Sequence, residues 1–168
     1  MKKPDICSLL LRRLRGNAVI VGIGNPNCRD DGAGQALIER LDSSCCVKAI
    51  DAGDSPEMFL SGIVENFPDS VMFVDCVDLG SEPGSAAIIE PEQLDPGWGN
   101  GHQPPLSAIM AYVSEISGAD TFLLGIQPKD TGAGSGISRA VSQTVESVVE
   151  CIHCAKSERG AACEGEIK

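Results

Sequence analysis

The chain has 168 residues, 42% of them apolar, and carries a formal net charge of −11 with a sequence pI near 4.5. That length suits a single domain whose core needs no staples. The acidity argues against nucleic acid or an anionic membrane as partner, because counterion release needs clustered Lys and Arg, and the only basic cluster is Arg12, Arg13 and Arg15.

Residues 1 to about 16 read as an N-terminal extension compatible with a short helix. Its Leu9-Leu10-Leu11 run is too short for a signal peptide or a membrane span, so a cytoplasmic location is expected. Next comes Ala18-Val19-Ile20-Val21-Gly22-Ile23, β-branched and without polar interruption, as in a strand buried on both faces of a parallel sheet. Ala33, Leu37 and Leu41, widened by Ala36 and Ile38, then recur at helical spacing. Strand, glycine-rich turn and helix follow one another.

The turn itself, Gly22-Ile23-Gly24-Asn25-Pro26-Asn27-Cys28-Arg29-Asp30-Asp31-Gly32-Ala33-Gly34, departs from a nucleotide loop. Asn27 stands where a dinucleotide fingerprint has its third glycine, and Asp30 with Asp31 puts two negative charges at the helix end that attracts phosphate. No G-K-[ST] follows, which excludes a P-loop. On local chemistry alone Asp30 reads as an N-cap and Asp31 as a partner of the helix dipole.

Further strands are expected at about Cys46 to Asp51, Ser70 to Asp75, Ser85 to Glu90 and Asp120 to Ile126. Helices are expected after Asp54-Ser55-Pro56-Glu57, after Pro104-Pro105, and from about Ser135, where Ile137, Val141, Val145, Val148 and Ile152 form one stripe. The alternation implies an α/β fold, a three-layer α/β/α sandwich around a mostly parallel, twisted five-stranded sheet. Residues 17–155 form the expected single domain, and 156–168 read as a flexible tail.

Eight cysteines do not make a disulfide framework in a reduced compartment, and most read as small buried hydrophobes. Cys151-Ile152-His153-Cys154, with Cys163 nearby, has thiolate and imidazole spacing for a soft metal, but positions three apart on a helix simply share a face.

Three expected strands run into acids: the first into Asp30 and Asp31, the second into Asp51, the third into Asp75. In a parallel sheet these ends share one edge, where ligands of open α/β sheets bind. Like charges converge at a cost unless a cation is present. One of the two histidines, His102, sits in Gly97-Trp98-Gly99-Asn100-Gly101-His102-Gln103-Pro104-Pro105. Asp31, Asp75 and His102 together make two carboxylates and an imidazole, a set for a divalent ion with open positions. Asp51 has a second explanation, as the acid that serves a ribose in dinucleotide folds.

Gly22-Ile23-Gly24-Asn25 with Asp30-Asp31-Gly32-Ala33-Gly34, then Asp51-Ala52-Gly53, Val74-Asp75-Cys76-Val77-Asp78-Leu79-Gly80 and His102-Gln103-Pro104-Pro105-Leu106 together resemble the hydrogenase maturation endopeptidases. Gly125-Ile126-Gln127-Pro128-Lys129 further resembles the HycI-type branch, which processes the hydrogenase-3 large subunit. The likeness runs from about residue 18 to 150. It implies a protease that removes a C-terminal extension from the large-subunit precursor of a nickel-iron hydrogenase once nickel has been inserted. By the same resemblance the metal-facing and catalytic positions fall on Asp31, Asp75 and His102, with Asp51 as an accessory candidate and the base unassigned. The nickel arrives with the substrate, and another divalent ion can occupy the site at rest. The N-terminal extension and the cysteine-bearing tail lie outside the family core.

No G-x-S-x-G elbow, H-E-x-x-H helix or Cys-His pair offers an ordinary serine, zincin or cysteine protease route. Thr131 to Gly136 is a candidate flank for a groove that receives the extension. Two other readings use the same residues: a noncatalytic nickel-binding maturation chaperone built on the same three ligands, and a nucleotide-binding domain built on Gly22, Gly24 and Asp51.

Overall fold

The computed structural model describes residues 5–41, 47–94 and 104–163, with side chains of the last span as far as residue 153. Five strands are present, β1 (Ala18–Ile23), β2 (Val47–Gly53), β3 (Ser70–Cys76), β4 (Ala86–Ile89) and β5 (Asp120–Ile126). The helices are α1 (Ile6–Arg13), α2 (Ala33–Arg40), α3 (Leu60–Val64), α4 (Leu106–Ser117) and α5 (Arg139–Cys163). The sheet order is β2-β1-β3-β5-β4. β1 pairs in parallel with β2 and β3, and β3 with β5, while β4 alone runs antiparallel, with Ala86 opposite Ile126. The mostly parallel five-stranded α/β sandwich expected from the sequence is therefore the observed fold.

Strand alternation builds two cores. Ala18, Ile20, Met72, Val74, Phe122 and Leu124 pack toward α1, α2 and α5. Their neighbours Val19, Val21, Val71, Phe73 and Leu123 pack toward α3 and α4, against Ile63, Ile109 and Val113. Both faces of β1 are covered and all six of its residues are buried, the reason its sequence lacks polar interruption.

Several boundaries shift for local reasons. The turn at Pro56 opens as a 3-10 segment, Pro56–Phe59, before the short α3. α4 follows Pro104-Pro105 as expected and stops at Gly118, whose φ of 73° is the left-handed conformation that closes a helix. α5 begins at Arg139 rather than near Ser135, with Ser138 at its start: its carbonyl accepts Ser142 N–H at 2.8 Å while its own N–H is bonded to Asp30. Its backbone continues as helix to Cys163, into the segment that composition marked as tail.

Against the expectation of reduced cysteines, Cys7 of α1 and Cys151 of α5 form a disulfide, with their Cα atoms 5.7 Å apart. The pairing follows from helix packing: α1 lays the fully buried Leu10 into the same core as Val148 and Ile152 of α5, which brings Cys7 beside Cys151. Cys28 and Cys76 are free thiols. The side chains of Cys154 and Cys163 lie outside the described residues. No helix among the described residues is long and apolar enough to cross a membrane.

Candidate active site

β1 lies between β2 and β3: α2 leads from β1 out to β2 over one face, and α3 leads from β2 back past β1 to β3 over the other. The carboxyl ends of β1 and β3 thus form the point where strand order reverses, the place where such sheets open a ligand crevice. Asp31 follows β1 in a 3-10 turn, Arg29–Gly32, and Asp75 lies near the end of β3 opposite Gly125.

Glycine makes this loop possible. Gly24 has φ 127°, and a Cβ there would stand 1.7 Å from Asp31 O. At Gly34 a Cβ would meet Ile23 O at 2.2 Å and Val74 O at 2.6 Å, and at Gly22 it would meet Gly34 O at 2.4 Å. Helix α2 therefore starts almost in contact with the ends of β1 and β3. The close helix–strand approach that a dinucleotide fingerprint assigns to its third glycine is made here by Gly34, with the acids inside the enlarged turn. Gly24 N–H donates to Gly53 O at 2.8 Å, and Asn25 N–H donates to the Asp31 carboxylate at 2.8 Å, which fixes Asp31 beneath the turn.

Burial pushes the Asp75 carboxyl up to about 7; the charge of Asp31 adds to the rise, and the Cys76 amide opposes it. Among the described residues neither acid has a Lys or Arg ion pair. Two mutually repelling carboxylates, one poorly solvated, are a donor set that a divalent cation would relieve. His102 lies outside the described residues, and among those described no group of three His, Cys, Asp or Glu side chains is arranged to hold a metal.

Asp51 is separated from this pair. It lies opposite Gly22 in register and is exposed, its carboxylate accepting Gln35 Nε2 at 2.8 Å and Gly53 N–H at 3.0 Å. Gln35 belongs to α2, so Asp51 turns to that face, whereas Asp75 shares the parity of Phe73 and the α3/α4 face. Its partners give Asp51 the work of holding α2 and the end of β2 together.

A family model described as HycI, hydrogenase maturation protease, matches residues 33–154. The hydrogenase 3 maturation protease of Escherichia coli is 31% identical over 140 residues, covering 79% of this chain and 86% of that protein. This chain belongs to the hydrogenase maturation proteases. The crystal structure of a [NiFe] hydrogenase maturation protease HycI from Thermococcus kodakarensis superimposes with a TM-score of 0.79 at 31% identity, over 88% of this chain and 97% of that one. The Escherichia coli maturating endopeptidase HybD, at 20% identity and TM-score 0.69 over 86% of this chain and 94% of its own, shares the fold. The protein is accordingly a peptide hydrolase of the maturation-protease class.

Within this maturation protease two residues do more than their sequence suggests. Asp30 does not cap its own helix turn, as the sequence led one to expect. It is fully buried, and its carboxylate accepts N–H groups of Lys129 (2.8 Å), Asp130 (3.2 Å) and Ser138. Burial alone would raise its pKa, but the amides of Ser138, Lys129 and Asp130 outweigh that and hold it below the ordinary carboxylate value. Gln127 receives Leu79 N–H (2.7 Å) and Ser81 N–H (3.2 Å) on Oε1 and donates from Nε2 to Asp78 at 3.3 Å. It ties the loop after Asp75 to the end of β5. The hint for Gln127 was its place in Gly125-Ile126-Gln127-Pro128-Lys129; for Asp30 there was none, since every partner lies about a hundred residues away.

Proposed function

We propose that this protease removes the C-terminal extension from the large-subunit precursor of a nickel-iron hydrogenase after nickel insertion, and that Asp31, Asp75 and His102 recognise the metal carried by that precursor. The observation that carries the reading is that Asp31 and Asp75 come together at the carboxyl edge of the sheet, where among the described residues neither has a Lys or Arg ion pair. An acidic pair of this kind is poised for a divalent ion that arrives with the substrate. The nickel belongs to the substrate, and its arrival completes the charge balance that the fold leaves open.

Asp31 is held through one oxygen by Asn25 N–H, and among the described residues nothing is hydrogen-bonded to its other oxygen. Asp75, whose raised pKa leaves its carboxyl about half protonated at pH 7, would give up the remaining proton as the cation approaches. A water beside the ion would then have a carboxylate to accept its proton as its oxygen attacks the scissile carbonyl, and that proton would pass to the leaving amine as the peptide bond breaks. Seating the nickel on the acids also sets the position of the extension, so an unloaded precursor would be held poorly. The cytoplasm, where a precursor is processed before assembly, is the proposed location.

The test incubates the purified protein with nickel-loaded and with nickel-free precursor and follows loss of the C-terminal peptide by mass spectrometry. Cleavage of the loaded form alone supports the reading. Equal cleavage of both removes nickel recognition but leaves the protease, and cleavage of neither removes this substrate.

A further inference from the structure

The loop that bears Asp31 is bolted to the segment joining β5 to α5. Arg29 N–H donates to Gly134 O at 2.9 Å, Asp30 N–H to Asp130 O at 3.1 Å, and Gly134 N–H returns a bond to Asn27 O at 2.8 Å. Cys28 and Gly134 make a parallel bridge, and Arg29 forms an ion pair with Asp130 across the same seam. At the centre lies the Asp30 carboxylate, one oxygen on Lys129 and Asp130 N–H, the other on Ser138 N–H, so it grips both ends of the segment 129–138. The Asp30 carbonyl meanwhile accepts the Cys76 thiol at 2.7 Å, next to Asp75.

One residue therefore connects the two acid-bearing strand ends and the exposed loop Thr131–Ala133 that rims them. That loop has no apolar anchor: Thr131, Gly132 and Ala133 are all exposed. A buried carboxylate bonded to three amides is a strong and directional substitute, because charge-assisted bonds to an ionised acceptor are short and geometrically demanding. Asp30 and Asp31 share a peptide unit, and Asp31 O is already pressed against Gly24.

We propose that Asp30 is a positioning residue for peptide hydrolysis, holding the Asp31 loop, the Asp75 strand end and the 129–138 segment in one fixed arrangement. This rests on the reading of Asp31 as an acid that faces the metal. The experiment compares wild type with Asp30→Asn at a temperature where circular dichroism shows both folded. It measures kcat and KM on nickel-loaded precursor and the affinity for Ni2+ alone by calorimetry. The expected result is a loss of about tenfold or more in kcat, an affinity for Ni2+ lower by about tenfold, and a KM raised by no more than that fall in affinity. Arg13→Ala, at the opposite edge of the sheet, is expected to lower thermal stability yet leave both readouts unchanged, which separates positioning from general destabilisation.

If Asp30→Asn does not fold, Ser138→Pro removes one amide donor and leaves the carboxylate, with a smaller loss of the same pattern expected. If wild type takes up no Ni2+ without substrate, the division between kcat and KM decides alone. An Asp30→Asn protein that cuts like wild type overturns the proposal. Full activity of Asp31→Ala, by contrast, overturns the reading on which it rests, and the proposal with it.

Discussion

The two edges of the sheet use the same side chains in opposite ways. At the amino edge, Arg13 of α1 is bound by Asp120 at 2.5 Å and Glu90 at 2.6 Å and lies over the Phe122 ring, 4.6 Å from its centroid. That guanidinium meets two opposite charges. At the carboxyl edge Asp30 is held by backbone amides and the Ser138 side chain, while the charge of Asp31 bears on Asp75. The first arrangement is complete as folded. The second is left electrostatically open, which is the feature the proposed reading assigns to an ion that arrives with the substrate.

The strongest way to break this comparison is to remove the open edge. Asp31→Ala and His102→Ala are expected to abolish precursor cleavage, a loss of about a thousandfold or more, with unchanged far-UV circular dichroism; retained activity would clear either residue of its role. Next in size is Gly34→Ala, whose methyl would meet two backbone carbonyls. A loss of about 3 kcal/mol or more in urea unfolding is expected, together with loss of activity, since α2 must retreat from both strand ends.

The acids themselves give opposite pH signs. Asp30 has a lowered pKa, so its stabilisation is complete above about pH 4 and disappears as acid protonates it below its folded pKa. Asp75 has a raised one, so its contribution falls as pH rises from about 4 to about 7, and above that the carboxylate costs the metal-free fold. Asp75→Asn should therefore be more stable than wild type at pH 8, on the order of 2 kcal/mol, equal to it near pH 4, and inactive. A thermal scan at the two pH values checks both signs; equal melting at pH 8 would mean that Asp75 is already compensated. The smallest effect is Arg13→Ala, a loss of about 1 kcal/mol that shrinks in high salt, because its partners are partly exposed.

How much of this was legible depended on the range of the interaction. β-Branched runs and helical stripes are local, and β5 was expected over the same residues, Asp120 to Ile126, that the structure shows. The acids at the strand ends were legible as a set once a parallel sheet was inferred, although Asp51 turned out to face the other side, bound to Gln35. The direction and edge position of β4 were not legible, because a four-residue strand of Ala86, Ala87, Ile88 and Ile89 carries no orientation signal. Nor was the Asp30 grip: an acid at a helix start is ordinarily a cap, and only the return of the chain past β5 supplies three better donors. The disulfide was hidden for the same reason, since nothing in the sequence tells Cys7 that α5 will lie beside it.

That last contact also fixes how the chain travels. With residues 7 and 151 at 5.7 Å, the fold traces a nearly closed circuit, setting out from and coming back to the same flank of the sheet. A linker long enough to run back along α5 from Cys163 to α1, with new ends opened in the exposed turn before β4 near Glu82, would give a rearranged gene order whose product keeps every strand neighbour. The order of segments along the gene is thus one of several that could spell the same catalyst.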